Sequence, residues 1–400
     1  MRTPLLTAVA LCLLSAAVLA QGTFPLEYRE GKSADVPALA MASRSFSQTA
    51  EKPAEITGLP ADLRGDAIYF RGVIAGKPLW AVACGGSPVR LYLDTDGDNN
   101  LSDEKALSAT AADTGVSFGM VSLPLAEKGT VAVRAFSHSG ADGKTPQCLH
   151  LEASGYRTGE VRLADKTYRV ALIDNNLNGR CDDALSGPFG SGAAAADALV
   201  IDLNGDGSFE AMRNYNQPGE WAPLSKACQV GGAYYRVEVP ADGGQIRFEK
   251  TEPTFGTVDL GPGRVEMTAF SDFGFQKVEA ADGKARLPAG LYAPVSLTVT
   301  HTDTEGGTWE FTWNRNDERL GTFKVAAGET TAIPLGPPLV AEADVRQAER
   351  NVRVNFRLVG RSGEQYSAMV TRNGAQRQPP SVEIVDKAGK VLASGKMAYG

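Results

Sequence analysis

Residues 198–210 read Ala198-Leu199-Val200-Ile201-Asp202-Leu203-Asn204-Gly205-Asp206-Gly207-Ser208-Phe209-Glu210. Four apolar residues, half of them β-branched, have the length and composition of a buried strand. After them, oxygen-bearing side chains fall on every second position, with Gly where the chain must turn sharply. The same order occurs twice more. Leu91-Tyr92-Leu93 runs into Asp94-Thr95-Asp96-Gly97-Asp98-Asn99-Asn100-Leu101-Ser102-Asp103-Glu104, and Leu172-Ile173 runs into Asp174-Asn175-Asn176-Leu177-Asn178-Gly179-Arg180-Cys181-Asp182-Asp183.

Outward from these segments the patterning stays strand-like. Ala67–Ile74, Val89–Leu93, Thr130–Phe136, Tyr168–Ile173, Tyr234–Val239, Gln245–Phe248, Val295–Thr300, Val352–Leu358 and Ser381–Val385 are short apolar or alternating runs. Turn dipeptides separate them: Asp142-Gly143, Asp242-Gly243, Asp282-Gly283, Asn373-Gly374 and Ala388-Gly389. Helical signals are few, the best being Ala341–Arg350 and Ser102–Ala109. The expectation is a mainly β protein of several antiparallel β-sandwich or barrel-like modules. Gly and Pro number 44 and 22 in 400 residues, which suits a chain with many turns.

Soft boundaries divide the chain. Residues 21–60 are polar and weakly patterned, and are expected as an extended arm. Residues 61–250 carry the three acidic loops, in two modules if the chain splits near 127. Thr251-Glu252-Pro253-Thr254 reads as a hinge before a module at 255–335, and Gly336-Pro337-Pro338 as a stiff linker before 339–400. Within 255–335, Leu287-Pro288-Ala289-Gly290-Leu291-Tyr292, Val325-Ala326-Ala327-Gly328-Glu329-Thr330-Thr331 and Ile333-Pro334-Leu335 resemble the small immunoglobulin-like accessory domains of bacterial surface proteins. The resemblance implies a spacer or interaction module in the C-terminal half. Val230-Gly231-Gly232-Ala233-Tyr234-Tyr235 resembles a strand of secreted proteins of environmental bacteria and implies no activity.

The amino terminus has the form of an export signal. Met1-Arg2 is basic, Leu5–Leu19 is apolar but short for a bilayer span, and Val18-Leu19-Ala20 reads as a cleavage site. A mature chain in the periplasm, at the cell surface or outside the cell is expected, with no membrane span. Of five cysteines, Cys12 would leave with residues 1–20. Cys84, Cys148, Cys181 and Cys228 would remain, and an oxidising compartment favours two disulfides. Cys84–Cys148 and Cys181–Cys228 are the pairings that stay within one module; four buried thiols are the alternative.

The acidic loops carry the function. Ca²⁺ takes six to eight oxygen ligands, and side chains at the first, third and fifth positions of a tight loop can converge on it. A Gly at the sixth allows the turn, a main-chain carbonyl follows at the seventh, and a later acid closes the shell. The loops resemble Asp-x-Asp-x-Asp-Gly calcium loops, found in EF-hands and in the strand-flanked loops of integrin-type propellers. The twelfth position of an EF-hand, where Glu is needed, is Lys105, Leu185 and Arg213 here. The strand-flanked form closes at the ninth. On that pattern the second loop would use Asp174, Asn176, Asn178, the carbonyl of Arg180, and Asp182. The third would use Asp202, Asn204, Asp206, the carbonyl of Ser208, and Glu210. The first has two registers: Asp94, Asp96 and Asp98, or Asp96, Asp98, Asn100 and Glu104. The second loop, with Asn at two positions, should bind weakest. Eleven of the 47 acids lie in the three loops; with these set aside, and Lys105 and Arg180 with them, 36 acids face 38 bases, so the net charge of −7 is a property of the loops. That charge is also the wrong sign for nucleic acid.

Other chemistry is missing from the sequence. It has no Gly-x-Ser-x-Gly, His-Glu-x-x-His, phosphate-binding Gly loop or Cys-x-x-Cys. His138, His150 and His301 are isolated. Asp182-Asp183 could be a glycosidase pair, but adjacency on the chain and the calcium spacing favour use as ligand. Trp309, Phe311 and Trp313 alternate, which fits a sandwich core better than a sugar platform. The expectation is an exported, non-catalytic calcium-binding protein with a structural, surface or matrix role, its partners an extracellular polysaccharide or cell-surface protein. The alternatives are a carbohydrate-binding or hydrolytic protein supported by calcium, and a metal-free β spacer.

Overall fold

A computed structural model describes residues 21–397 except 32–33, 50, 64, 75, 85–87, 113–114, 126–128, 138–147, 186–194, 211–218, 314–318, 349–350 and 368. The expected leader with Cys12, the residue His138 and the Asp142-Gly143 turn lie outside the described residues. Among the described residues the chain is strand and turn, apart from one 3₁₀ segment at Pro37–Met41.

The two central strands of the loop-bearing half are Lys166–Ile173 and Ala198–Ile201, paired antiparallel with Val170 opposite Ile201 and Ile173 opposite Ala198. Ala198–Ile201 and the second half of the other strand, residues 170–173, are buried on both faces, which is why these stretches are continuous apolar runs rather than alternating ones. Side chains on one face, Ala171, Ile173, Ala198 and Val200, enter one core. Those on the other, Tyr168, Val170, Leu172, Leu199 and Ile201, enter a second. This five-stranded sheet, completed by Trp221–Pro223, Gly155–Leu163 and Glu27–Glu30, is therefore a wall shared by two hydrophobic cores.

The first core is closed by a nine-stranded sheet. Its order is Leu107–Ser108, Arg90–Leu93, Lys77–Cys84, Ala67–Ile74, Ser43–Thr49, Leu149–Ala153, Gly129–Ser137, Gly115–Leu125 and Thr110–Ala112. Leu107–Ser108 also comes up against Gly115–Leu125, so the sheet nearly closes on itself as a barrel. The second core is closed by Gln21–Pro25, Gln245–Thr251, Ala233–Glu238 and Ala227–Val230. The polar segment at 21–60 supplies strands to all three sheets: Gln21–Pro25 to the four-stranded one, Glu27–Glu30 to the shared wall and Ser43–Thr49 to the largest.

The C-terminal part has its own core, in which Val258, Tyr292, Leu297, Val299, Phe311, Trp313 and Tyr366 are buried. Phe311 and Trp313 are 6% and 8% exposed, as the core reading of the aromatic alternation expects, while Trp309, the third of the set, is only half-buried at the edge of that core. Phe255–Asp259 pairs antiparallel with Lys284–Pro288 and parallel with Thr330–Ala332. The fully buried Glu364 carboxylate accepts from the Gly336 N–H at 2.7 Å and the Tyr366 hydroxyl at 2.8 Å, which ties the Pro-rich linker to the following strands.

Two expectations are corrected. The described part of Ala341–Arg350 is not helical: Val340–Ala348 is a strand that pairs with Asn351–Val359, with Val345 opposite Val354. A long antiparallel partner supplies main-chain bonds and β-branched neighbours that outweigh the local helix preference of Ala, Glu and Arg. Ser102–Ala109 is not helical either. Leu101 is fully buried, Glu104 is drawn back to Thr95, and Leu107–Ser108 joins the sheet beside Leu91 and Arg90.

The expected disulfides are absent; all four described cysteines are free thiols. Cys84 lies on Lys77–Cys84, and Cys148 directly precedes Leu149–Ala153, three places along in the same sheet. At ~4.8 Å per strand this separates them by about 14 Å, twice what a disulfide tolerates. Cys181 and Cys228 pack as apolar side chains against the second core. Burial pushes both thiols up to about 12.

Ile173 is fully buried between the wall and the nine-stranded sheet. Ile173→Ala should cost about 2–5 kcal/mol by cavity formation, read as a lower urea midpoint with the denaturant slope unchanged.

Candidate metal centre

Each acidic loop begins where a buried strand ends, and its first Asp is folded inward. Asp94 follows Arg90–Leu93 and is fully buried; Asp202 follows Ala198–Ile201 and is 4% exposed. In this position a carboxylate must be satisfied by the chain itself. Asp94 Oδ1 accepts the Gly97 N–H at 2.8 Å and Oδ2 the Asn99 N–H at 3.2 Å. Asp202 Oδ1 accepts the Gly205 N–H at 2.6 Å and Oδ2 the Gly207 N–H at 3.0 Å. Asp174 Oδ1 accepts the Asn178 N–H at 3.1 Å and Oδ2 the Gly179 N–H at 2.7 Å. The loops wrap around their first carboxylates, and this requires left-handed backbone at Gly97 and Gly207, with φ of 78° and 82°.

The first loop brings three carboxylates together. Among the described residues, Asp94, Asp96 and Asp98 form the one group of acids whose ligand oxygens lie within 4.8 Å of one another. Two oxygens each ~2.4 Å from a common calcium can be at most ~4.8 Å apart, so the spacing fits one ion. The geometry favours the register that starts at Asp94. Asn100 Oδ1 accepts instead from Ser102, at 3.2 Å from N and 2.7 Å from Oγ. Glu104 bends back over the loop and accepts from Thr95 N at 2.5 Å and Thr95 Oγ1 at 2.9 Å. Burial raises the Asp94 and Glu104 carboxyls, and the neighbouring Asp96 adds to both shifts. The loop is clamped from outside. The Thr57 N–H donates to the Asn99 carbonyl at 2.9 Å and the Leu101 N–H to the Gly58 carbonyl at 3.1 Å. Leu101 itself packs with Ile56, Trp80 and Tyr92.

The second loop is assembled differently. Asn176 Nδ2 and Asn178 Nδ2 both donate to Asp183 Oδ2, at 2.8 and 2.5 Å. Asp182, expected as the closing ligand, is turned to Arg180 in a bidentate pair at 3.0 and 2.7 Å. Behind the loop lies Asp197, fully buried, which accepts N–H groups from Asn175 at 3.3 Å and Asp183 at 2.8 Å. Burial, and then the Asp174 charge, raise its carboxyl to about 9; burial raises Asp174 to about 6.

In the third loop Asn204 Nδ2 donates to Asp206 Oδ2 at 3.1 Å and Glu210 Oε1 at 3.3 Å, so Glu210 does reach the loop from its ninth position. Ser208 donates from N and Oγ to Asp206 Oδ1 at 2.8 and 2.6 Å. The organising acid is Glu220, only 6% exposed, whose Oε1 takes the Leu203 N–H at 2.7 Å and Oε2 the Glu210 N–H at 3.0 Å. Arg169 donates to the Gly207 carbonyl at 2.5 Å and lies over the Phe209 ring at 4.7 Å.

Asp183, Asp197 and Glu220 were not among the expected ligands. Asp183 had a signal, as the second acid of a pair. Asp197 and Glu220 each directly precede a strand, Ala198–Ile201 and Trp221–Pro223, and nothing local marks them; they reach the loops through sheet pairing. Away from the loops, Arg372 and Arg377 stand 5.6 and 5.7 Å from the Trp309 ring centre, so cations already occupy that aromatic surface.

No protein-family model, curated protein or solved structure matches the chain.

Asp197 gives a pH test. Its folded carboxyl titrates at about 9 against ~3.9 in an unfolded chain. The folded state therefore binds more protons between those values, and stability falls as pH rises through that window. In chelator, melting temperature should decline from pH 5 to pH 9, and Asp197→Asn should flatten the decline. A variant whose profile matched that of the unsubstituted protein would contradict the assignment.

Proposed function

We propose that the protein is an exported, non-catalytic calcium-binding β protein. In this reading the first acidic loop holds Ca²⁺, and the ion fixes a connection between sheet strands. The observation that carries it is the convergence of the Asp94, Asp96 and Asp98 carboxylates at a separation one ion can span. Three like charges held so close repel one another, and a divalent cation turns that cost into binding energy. Asp94 would be the inner ligand, Asp96 and Asp98 the outer ones, and Glu104 the acid placed to close the shell once released from Thr95. The clamp from Thr57 and Gly58 preorganises the loop, so little ordering cost is left for the ion to meet.

The second and third loops are weaker candidates in the same reading. Asn at two positions of the second and at one of the third lowers the charge offered to an ion. The Asn176 and Asn178 amides also already satisfy Asp183. Export rests on the basic and apolar amino terminus, and extracellular calcium modules commonly bind with Kd of ~10⁻⁴–10⁻³ M, an affinity a loop of this kind can supply. The C-terminal module, read as an immunoglobulin-like accessory domain, would then act as spacer or contact surface.

Calorimetric melting with calcium and with chelator tests the reading. Calcium at ten times Kd should add about 1.4 kcal/mol, seen as a higher melting temperature. Asp96→Asn should weaken binding by about tenfold or more, and Asp182→Asn, in a residue already paired with Arg180, should leave it nearly unchanged. Identical midpoints with and without calcium would count against calcium binding altogether.

A further inference from the structure

A second cluster lies away from the acidic loops, on the outer face of the nine-stranded sheet. Cys148 directly precedes the strand Leu149–Ala153, and His150 is its second residue. Leu149, Leu151 and Ala153 face the core, so Cys148 and His150 share the opposite face. His150 Nε2 stands 3.2 Å from Cys148 Sγ, and its Nδ1 stands 2.9 Å from Ser45 Oγ on the neighbouring strand, where Ser45 is the register partner of His150. In the tautomer that donates its Nδ1 hydrogen to Ser45 Oγ, the Nε2 lone pair faces the thiol. This is the arrangement of a nucleophile, its base and a group that orients the base.

The other described cysteines lack it. Cys84 is buried in an apolar cluster with Trp80 and Tyr92. Cys181 and Cys228 are packed against the second core, where burial disfavours their thiolates. Cys148 alone of the four combines partial exposure with a hydrogen-bonded imidazole.

We propose that Cys148 is a nucleophilic thiol site that takes disulfides, with His150 as its base and Ser45 as the positioning residue. His150 Nε2 accepts the Sγ proton, and the thiolate attacks one sulfur of the disulfide R–S–S–R′. The new Sγ–S bond forms as the S–S bond breaks. The leaving thiolate R′S⁻ carries off the electron pair and takes the proton from the imidazolium. Cys148 ends as a mixed disulfide and R′SH is released, with no further oxidant needed. Disulfide exchange needs only a thiolate and a proton acceptor, and these are the two groups the geometry places together.

Among the described residues of the paired strands, the charged neighbours are Glu152, Arg134 and Arg44. Glu152, next but one along the same face, is paired with Arg134 from the adjoining strand at 2.6 Å. Arg44, opposite Leu151, faces inward toward Asp174. The imidazole is thus the proton acceptor nearest the thiol.

The test uses dithiobis(nitrobenzoate) and glutathione disulfide on the full chain at pH 5.5, where an unassisted thiol is only about a thousandth ionised. The expected result is one fast-reacting thiol, mapped by peptide mass spectrometry to Cys148. The fast phase should vanish in Cys148→Ser and slow about tenfold in His150→Gln. In Ser45→Ala, which leaves thiol and base in place, it should slow by a smaller factor. Circular dichroism checks that each variant is folded; if His150→Gln is not, the slowing in Ser45→Ala decides. Equal rates in the unsubstituted protein and the folded variants, or adducts first on Cys84, Cys181 or Cys228, would overturn the proposal.

Discussion

The architecture of the loop-bearing half depends on burying a carboxylate at the end of an apolar strand. Asp94, Asp174 and Asp202 each occupy the point where a buried strand leaves the sheet. There a charged side chain is costly unless hydrogen bonds surround it. The chain supplies those bonds from main-chain N–H groups three to five residues further on, and that demand makes each loop tight. Gly97, Gly179, Gly205 and Gly207 all have positive φ, because the N–H groups can point back at the carboxylate only if the backbone turns left-handed there. The loop shape and the convergence of acids thus have one origin.

The three loops solve the resulting charge problem differently. In the first, acids gather with no cation among them. In the second, Arg180 neutralises Asp182, amides satisfy Asp183, and burial beside the Asp174 charge pushes the Asp197 carboxyl up, which disfavours a further charge there. In the third, buried Glu220 is met by three main-chain N–H groups, while Asn204 bridges the outer acids. In the proposed reading the first loop would therefore gain most from a divalent cation, while the second meets its charge with its own Arg180 and amide groups.

The placement of the loops follows from the wall between the two cores. Lys166–Ile173 and Ala198–Ile201 run antiparallel, so the second and third loops leave the sheet at opposite ends. Packing on both faces gives these strands little freedom, and loops rooted in them inherit that rigidity. The Cys148–His150–Ser45 cluster is set by similar means: two antiparallel strands bring residues 105 positions apart in sequence into hydrogen-bond contact.

The β class, most strands and the three acidic loops were legible in the sequence, because apolar runs of four to eight residues and alternating Asp and Asn are local patterns. Ala198–Ile201 and Ser381–Val385 have the boundaries the pattern gave them. Pairing was not legible. Val340–Ala348 has helix-forming composition, and only its partner Asn351–Val359 makes it a strand. The cysteines could be counted but not placed, and the sheet order holds Cys84 away from Cys148. Which acids meet at each loop was also decided in three dimensions. Asp197 and Glu220 lie outside the repeated pattern and arrive by strand pairing, while Asp182 fits the pattern and is claimed by Arg180. Sequence spacing specifies which side chains can reach a point along one stretch of backbone; sheet register and competing partners decide which of them do.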